Sequence, residues 1–159
     1  MVSADLIAYL LPLAAKLSGY PVIDAAQLPP IRSLPAAEIS REICPGDASG
    51  CNGMVAIFDT DRYQILIRDN LDLDNPADNS FLLHELVHVL QFKAKGDDIF
   101  ADCPTTMRTE TEAYRVQNTY LGLEGQFLRV GDALAFMTCA GKQDTFFTRD
   151  VMIEPAFKK

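Results

Sequence analysis

A chain of 159 residues with 48% hydrophobic and 23% charged side chains can bury a core without extra staples, and its composition excludes extensive disorder. Its net charge of -8 repels a phosphate backbone and an anionic membrane surface alike, so nucleic acid is not an expected partner. No apolar run approaches the ~20 residues that cross a bilayer, and neither repeats nor low-complexity tracts occur, so one domain over residues 1–159 and no membrane span are expected.

In chain order, Ser3 can cap a first helix over residues 4–18, with Leu6, Leu10, Leu13 and Leu17 near helical spacing and Gly19 as its stop. Pro12 should kink that helix or divide it. Its apolar run resembles a signal-peptide core, but Asp5 precedes it and no basic segment does, so a packed helix is the better reading. Pro21, Pro29 and Pro30 make residues 21–34 extended or looped, with a short strand near Ile31. Residues 35–43 read as a short helix with Pro35 in its first turn and Ser33 just ahead. Two β-rich runs, 54–58 and 63–68, are separated by Asp59-Thr60-Asp61-Arg62 as in a hairpin, and the second is a candidate exposed edge for β-augmentation by an extended substrate.

Residues 69–79 form a polar loop whose aspartates lack the sixth-position glycine and final glutamate of an EF-hand, so the loop reads as a turn into the next helix. Asn75 or Asn79 can cap that helix, Lys93 and Lys95 suit its negative end, and Gly96 can end it. A second long helix is predicted over residues 104–121, stopped by Gly122, and a third over residues 131–140.

The helix between the loop and Gly96 contains Phe81-Leu82-Leu83-His84-Glu85-Leu86-Val87-His88-Val89-Leu90-Gln91. At 100° per residue, Leu82, Leu83, Leu86, Val89 and Leu90 share one broad apolar face, while His84 and His88 lie opposite and one turn apart. Two imidazoles at i and i+4 can bind one zinc, and Glu85 between them can handle a proton: this is the HExxH arrangement. The chain has only these two histidines, and two placed at random in this length fall four apart only about one time in eighty. The bland alternative is two partly exposed helix histidines beside a surface glutamate.

Cys44, Cys51, Cys103 and Cys139 allow three pairings. Cys44 and Cys51 bracket a Pro- and Gly-containing loop that can close readily, which leaves Cys103 with Cys139. Two bridges favour an extracytoplasmic location, periplasmic or secreted; four reduced thiols would fit the cytosol.

Two histidines leave a catalytic zinc one protein ligand short. Asp97, Asp98 and Asp102 in the following turn, and Glu110 and Glu112 on the next helix, are all open to the role. The HExxH stretch followed by Glu112-Ala113-Tyr114 resembles the gluzincin group of zinc metallopeptidases, especially its small bacterial domains of uncharacterised function, over about residues 54–121. In that group a glutamate followed by alanine and an aromatic or acidic residue supplies the third ligand, so the resemblance implies Glu112. Thr109 and Glu112 also have capping-box spacing, although Pro104 offers an earlier helix start. The third histidine typical of metzincins is missing. Gln91 can orient a ligand, though a solvated helix glutamine is the commoner case; Tyr114, Arg115 and Tyr120 could stabilise an oxyanion, but core tyrosines and a surface arginine are the better reading, and none is assigned a catalytic role.

The resulting expectation is a compact α+β, zincin-like domain with a small sheet packed on the HExxH helix. Zinc would be held by His84, His88 and Glu112, with Glu85 as general base in hydrolysis of a peptide or protein substrate. Two rivals stand beside it: a non-catalytic protein-binding module retaining a zinc site, and a structural zinc site closed by Cys103.

Overall fold

The computed structural model describes residues 1–139, a mixed α+β arrangement of four α-helices around a small sheet. The first helix, α1 (Ala4–Ser18), starts where the Ser3 hydroxyl accepts the Leu6 amide at 3.1 Å and ends at Gly19, whose φ of 83° is left-handed. Pro12 lies inside the helix without dividing it. It occupies an exposed position while Leu10, Leu11, Ala14 and Ala15 turn inward.

Three strands, β1 (Ile31–Leu34), β2 (Ala56–Asp59) and β3 (Gln64–Arg68), form a sheet in the order β1-β3-β2. β2 and β3 make the expected antiparallel hairpin, and β1 runs parallel to β3 with Ile31 opposite Ile65. Residues 63–68 are therefore not an exposed edge. β3 is the central strand, because β1 claims the side that the hairpin alone would leave open. Alternation then divides its side chains: Ile65 and Ile67 join Phe58 on one face, while Leu66 joins Ile57 on the other. The second face is covered by Ile39 of α2 (Ala36–Ile43) and by Met54. Pro35 stands at the N-cap of α2 rather than inside its first turn.

Helix α3 (Pro76–Lys95) carries the HExxH stretch. Asn75 caps it through the Ala77 amide at 2.9 Å, with Pro76 in the first helical position and Gly96 at its end. Phe58, Ile65 and Ile67 of the sheet, Leu10, Leu11 and Ala14 of α1, and Ala113, Val116 and Tyr120 of α4 (Cys103–Leu123) pack with its apolar residues in one core. Every residue from Asn79 to Gln91 is buried. The face opposite the leucines, which carries the histidines, is thus enclosed rather than solvated. Asn75→Ala should lower stability by about 1 kcal/mol, the typical worth of an N-cap, readable as a lower urea midpoint at unchanged slope.

Asp102 caps α4 by accepting the Thr105 amide at 2.8 Å. The helix passes Gly122 and ends at Leu123, the left-handed residue being Gly125 (φ 69°). The chain then returns along α4, where the Asn118 side chain bonds both the N–H and the carbonyl of Val130 at 2.9 Å. The helix predicted over residues 131–140 is a 3-10 turn at Asp132–Phe136, entered through left-handed Gly131; Ala140 lies outside the described residues. Both expected disulfides are present, Cys44–Cys51 and Cys103–Cys139.

Candidate metal centre

One turn of α3 separates His84 from His88 and brings their Nε2 atoms to 3.0 Å. α4 adds the Glu110 carboxylate, whose Oε2 lies 3.0 Å from His84 Nε2 and 3.3 Å from His88 Nε2. The three side chains form a group able to hold a metal ion, and they are 6%, 1% and 3% exposed in the order His84, His88, Glu110. The histidines are therefore not partly exposed helix residues, nor is Glu85, 6% exposed, a surface charge.

Glu112, the residue implied by the gluzincin resemblance, does not join the histidines. Two helical residues correspond to about 200° of rotation, so Glu110 and Glu112 leave α4 in nearly opposite directions. Glu112 Oε2 instead accepts the Tyr20 hydroxyl and the Gln91 amide, each at 2.7 Å, with Lys95 Nζ at 4.0 Å. Thr109 and Glu112 form no capping box: Thr109 lies inside α4 and its hydroxyl donates to the Ile99 carbonyl at 2.7 Å. Asp97 and Asp98 are exposed in a 3-10 turn, Asp102 caps α4, and Cys103 is bridged to Cys139. A sequence signal for Glu110 does exist. It shares a helical stripe with Ala113, Val116, Gln117 and Tyr120, all buried, whereas Glu112 is off that stripe.

The hydrogen bonds around the histidines determine what the centre can bind. Gln91 Nε2 donates to the Thr109 carbonyl at 3.0 Å and to Glu112, so its Oε1 must be the acceptor facing His88 Nδ1 at 2.7 Å. Ser80 donates its hydroxyl to the Ala77 carbonyl and accepts from Gln117 Nε2 at 2.9 Å, which leaves Gln117 Oε1 as acceptor for His84 Nδ1 at 2.9 Å. Both rings consequently carry hydrogen on Nδ1. Both Nε2 lone pairs, and a carboxylate oxygen, then converge on one point with no hydrogen of their own to share. Three buried electron-pair donors so arranged can hold a cation, and two imidazoles with a carboxylate are among the donor sets that bind zinc in proteins.

Without a metal the only such cation is a proton. Burial pushes the His84 pKa down, but the hydrogen bond and charge of Glu110, with Glu85 nearby, outweigh it and raise the value. Burial likewise pushes Glu110 up, yet the charge of His88 and the hydrogen bonds that protonated rings give it hold it well below the usual carboxylate range. A carboxylate depressed in this way stabilises the fold above its ordinary pKa and loses that contribution as the pH falls toward the folded value.

Glu85 is buried beside the histidines, and its Oε2 accepts the Phe58 amide of β2 at 2.6 Å. The Tyr114 ring stands edge-on to His84 with centroids 4.5 Å apart, and Phe100 meets His88 at 5.2 Å. Tyr114 also lines a cleft of about 660 Å³ together with Arg115, Arg129, Gly131 and Met137; none of the metal-centre groups reaches that cleft. Arg115 donates to the Leu17 carbonyl and Tyr120 to Asn79, so both serve the scaffold. A Cβ on Gly131 would come within 2.3 Å of the Tyr114 ring, and its φ of 79° disfavours other residues besides. Gly131→Ala should therefore destabilise by about 1–3 kcal/mol, seen as a lower thermal midpoint of the metal-free chain.

The model of the family described as Domain of unknown function (DUF6647) matches residues 5–144 of the chain. No curated protein and no solved structure gives a match.

Proposed function

We propose that this chain, which belongs to the DUF6647 family, is a zinc-dependent peptidase of gluzincin type built on a zincin-like domain. The observation that carries the reading is the buried convergence of His84, His88 and Glu110 next to Glu85. His84 Nε2, His88 Nε2 and a Glu110 oxygen would hold the metal. Bound there, zinc would supply an activated water and a Lewis acid for a peptide carbonyl. Glu85 takes a proton on its carboxylate and returns it to the leaving amine, and the Phe58 amide fixes the direction of that carboxylate by holding Oε2. The substrate class is a peptide or protein. Cys44–Cys51 and Cys103–Cys139 fit an oxidising compartment, and we place the protein outside the cytoplasm on that ground. No helix among the described residues is long and apolar enough to cross a membrane.

Metal analysis of the purified chain, combined with a peptide library read by mass spectrometry with and without chelator, tests the proposal. One zinc per chain and chelator-sensitive cleavage are expected. A second reading, a non-catalytic binding module, draws on the enclosure of the centre and the engagement of Glu85 by β2. Full zinc occupancy with no cleavage of any library member would favour it. A structural zinc site closed by Cys103 is set aside, because Cys103 is in a disulfide.

A further inference from the structure

We infer that Gln91 and Gln117 are positioning residues of the metal centre, each holding one histidine in its Nδ1–H form, and that Tyr20 and Glu112 act on the centre through Gln91. The inference rests on reading His84, His88 and Glu110 as a metal site. A carboxamide is suited to this task because one end accepts while the other donates, so its orientation is determined by its neighbours. Gln117 accepts from His84 and is held by Ser80. Gln91 accepts from His88 and is held by two acceptors, the Thr109 carbonyl and Glu112. Glu112 is itself fixed by the Tyr20 hydroxyl just beyond the end of α1. Both glutamines are fully buried, so water cannot replace either partner without rearrangement.

The two glutamines differ in what their far ends face, and this makes the inference testable by chemically identical substitutions. In Gln117→Glu one oxygen can still accept from His84, and the Ser80 hydroxyl can turn to donate to the other. In Gln91→Glu the second oxygen would face the Thr109 carbonyl and the Glu112 carboxylate, two acceptors with no hydrogen between them. Zinc affinity, measured on the whole chain by competition with a chromophoric chelator, should fall about 10–100-fold in Gln117→Leu, Gln91→Leu and Gln91→Glu, the usual effect of losing an outer partner of a metal ligand. Gln117→Glu should stay much nearer the parent. Equal losses in the two glutamate variants, or parental affinity in both leucine variants, would overturn the inference.

A purely structural role for the glutamines would alter the thermal midpoint but not the ring tautomers. Nitrogen-15 spectra of the metal-free chain should show the neutral form of both histidines as Nδ1–H, with the pattern lost for His84 alone in Gln117→Leu and for His88 alone in Gln91→Leu. Unchanged tautomers in both would overturn the inference even if zinc affinity fell. Should a leucine variant fail to fold, Ser80→Ala and Tyr20→Phe are milder replacements that remove one support from Gln117 and from Glu112; mixed tautomers at His84 or His88, respectively, are expected, and parental tautomers in both would overturn it. If the parent chain binds no zinc yet shows the two tautomers, the metal reading fails while the positioning of the rings stands.

Discussion

Glu85→Gln should leave zinc content and thermal unfolding nearly unchanged while lowering peptide hydrolysis at least ~10²-fold, the effect typical of a removed general base. The amide oxygen of glutamine can still accept the Phe58 N–H, so the contact between α3 and β2 survives the substitution. The neighbouring candidate ligands are untouched, since the histidines and Glu110 contact one another through their own atoms. The measurement compares parent, chelator-treated parent and variant on the same peptide library. Equal cleavage by parent and variant would remove Glu85 from the chemistry. Loss of zinc along with activity would instead make Glu85 part of the metal site.

Glu110→Gln should weaken zinc by more than the ~100-fold that bounds the usual effect of an outer partner, because it replaces the single anionic donor of the centre. Glu112→Gln should weaken it less, because Glu112 reaches His88 only through Gln91. The two substitutions are two residues apart on one helix and chemically identical, so competition titration with a chelator separates orientation from charge. Greater loss in Glu112→Gln would restore the ligand implied by the gluzincin resemblance and contradict the burial of Glu110 against both imidazoles. Apo stability offers an independent check. Removing the charge of Glu110 should make the metal-free chain less stable near neutral pH, because its depressed carboxylate no longer balances the histidines, and the difference should shrink in acid.

How much of this centre could be read without a structure depends on the distance over which each relation acts. The spacing of His84 and His88, the place of Glu85 between them, the Ser3 and Asn75 caps, and the stops at Gly19 and Gly96 all lie within a helical turn or at its end. Backbone geometry alone relates such residues. The hairpin of β2 and β3 was legible for a similar reason, its two runs being joined by a few turn residues. The short Cys44–Cys51 loop was legible by length, and it left Cys103 and Cys139 to each other.

The choice of Glu110 over Glu112 was decided by the rotation of α4 about its own axis as it packs on α3. That rotation is set by which stripe buries more apolar surface, and Ala113, Val116, Tyr120 and Leu121 turn Glu110 and Gln117 inward with them. The same cause made both glutamines into buried partners of the histidines, since a glutamine in sequence carries no mark of the face it will share. The central position of β3 required β1, about thirty residues earlier, to pair beside it, a contact that no local pattern specifies. By itself, then, the sequence determined which groups could hold a metal and move a proton, because neighbours on one helix have no freedom to separate. Only the tertiary structure decided which carboxylate joins the two histidines and which hydrogen bonds aim the two rings, because these depend on how separate elements share a buried surface.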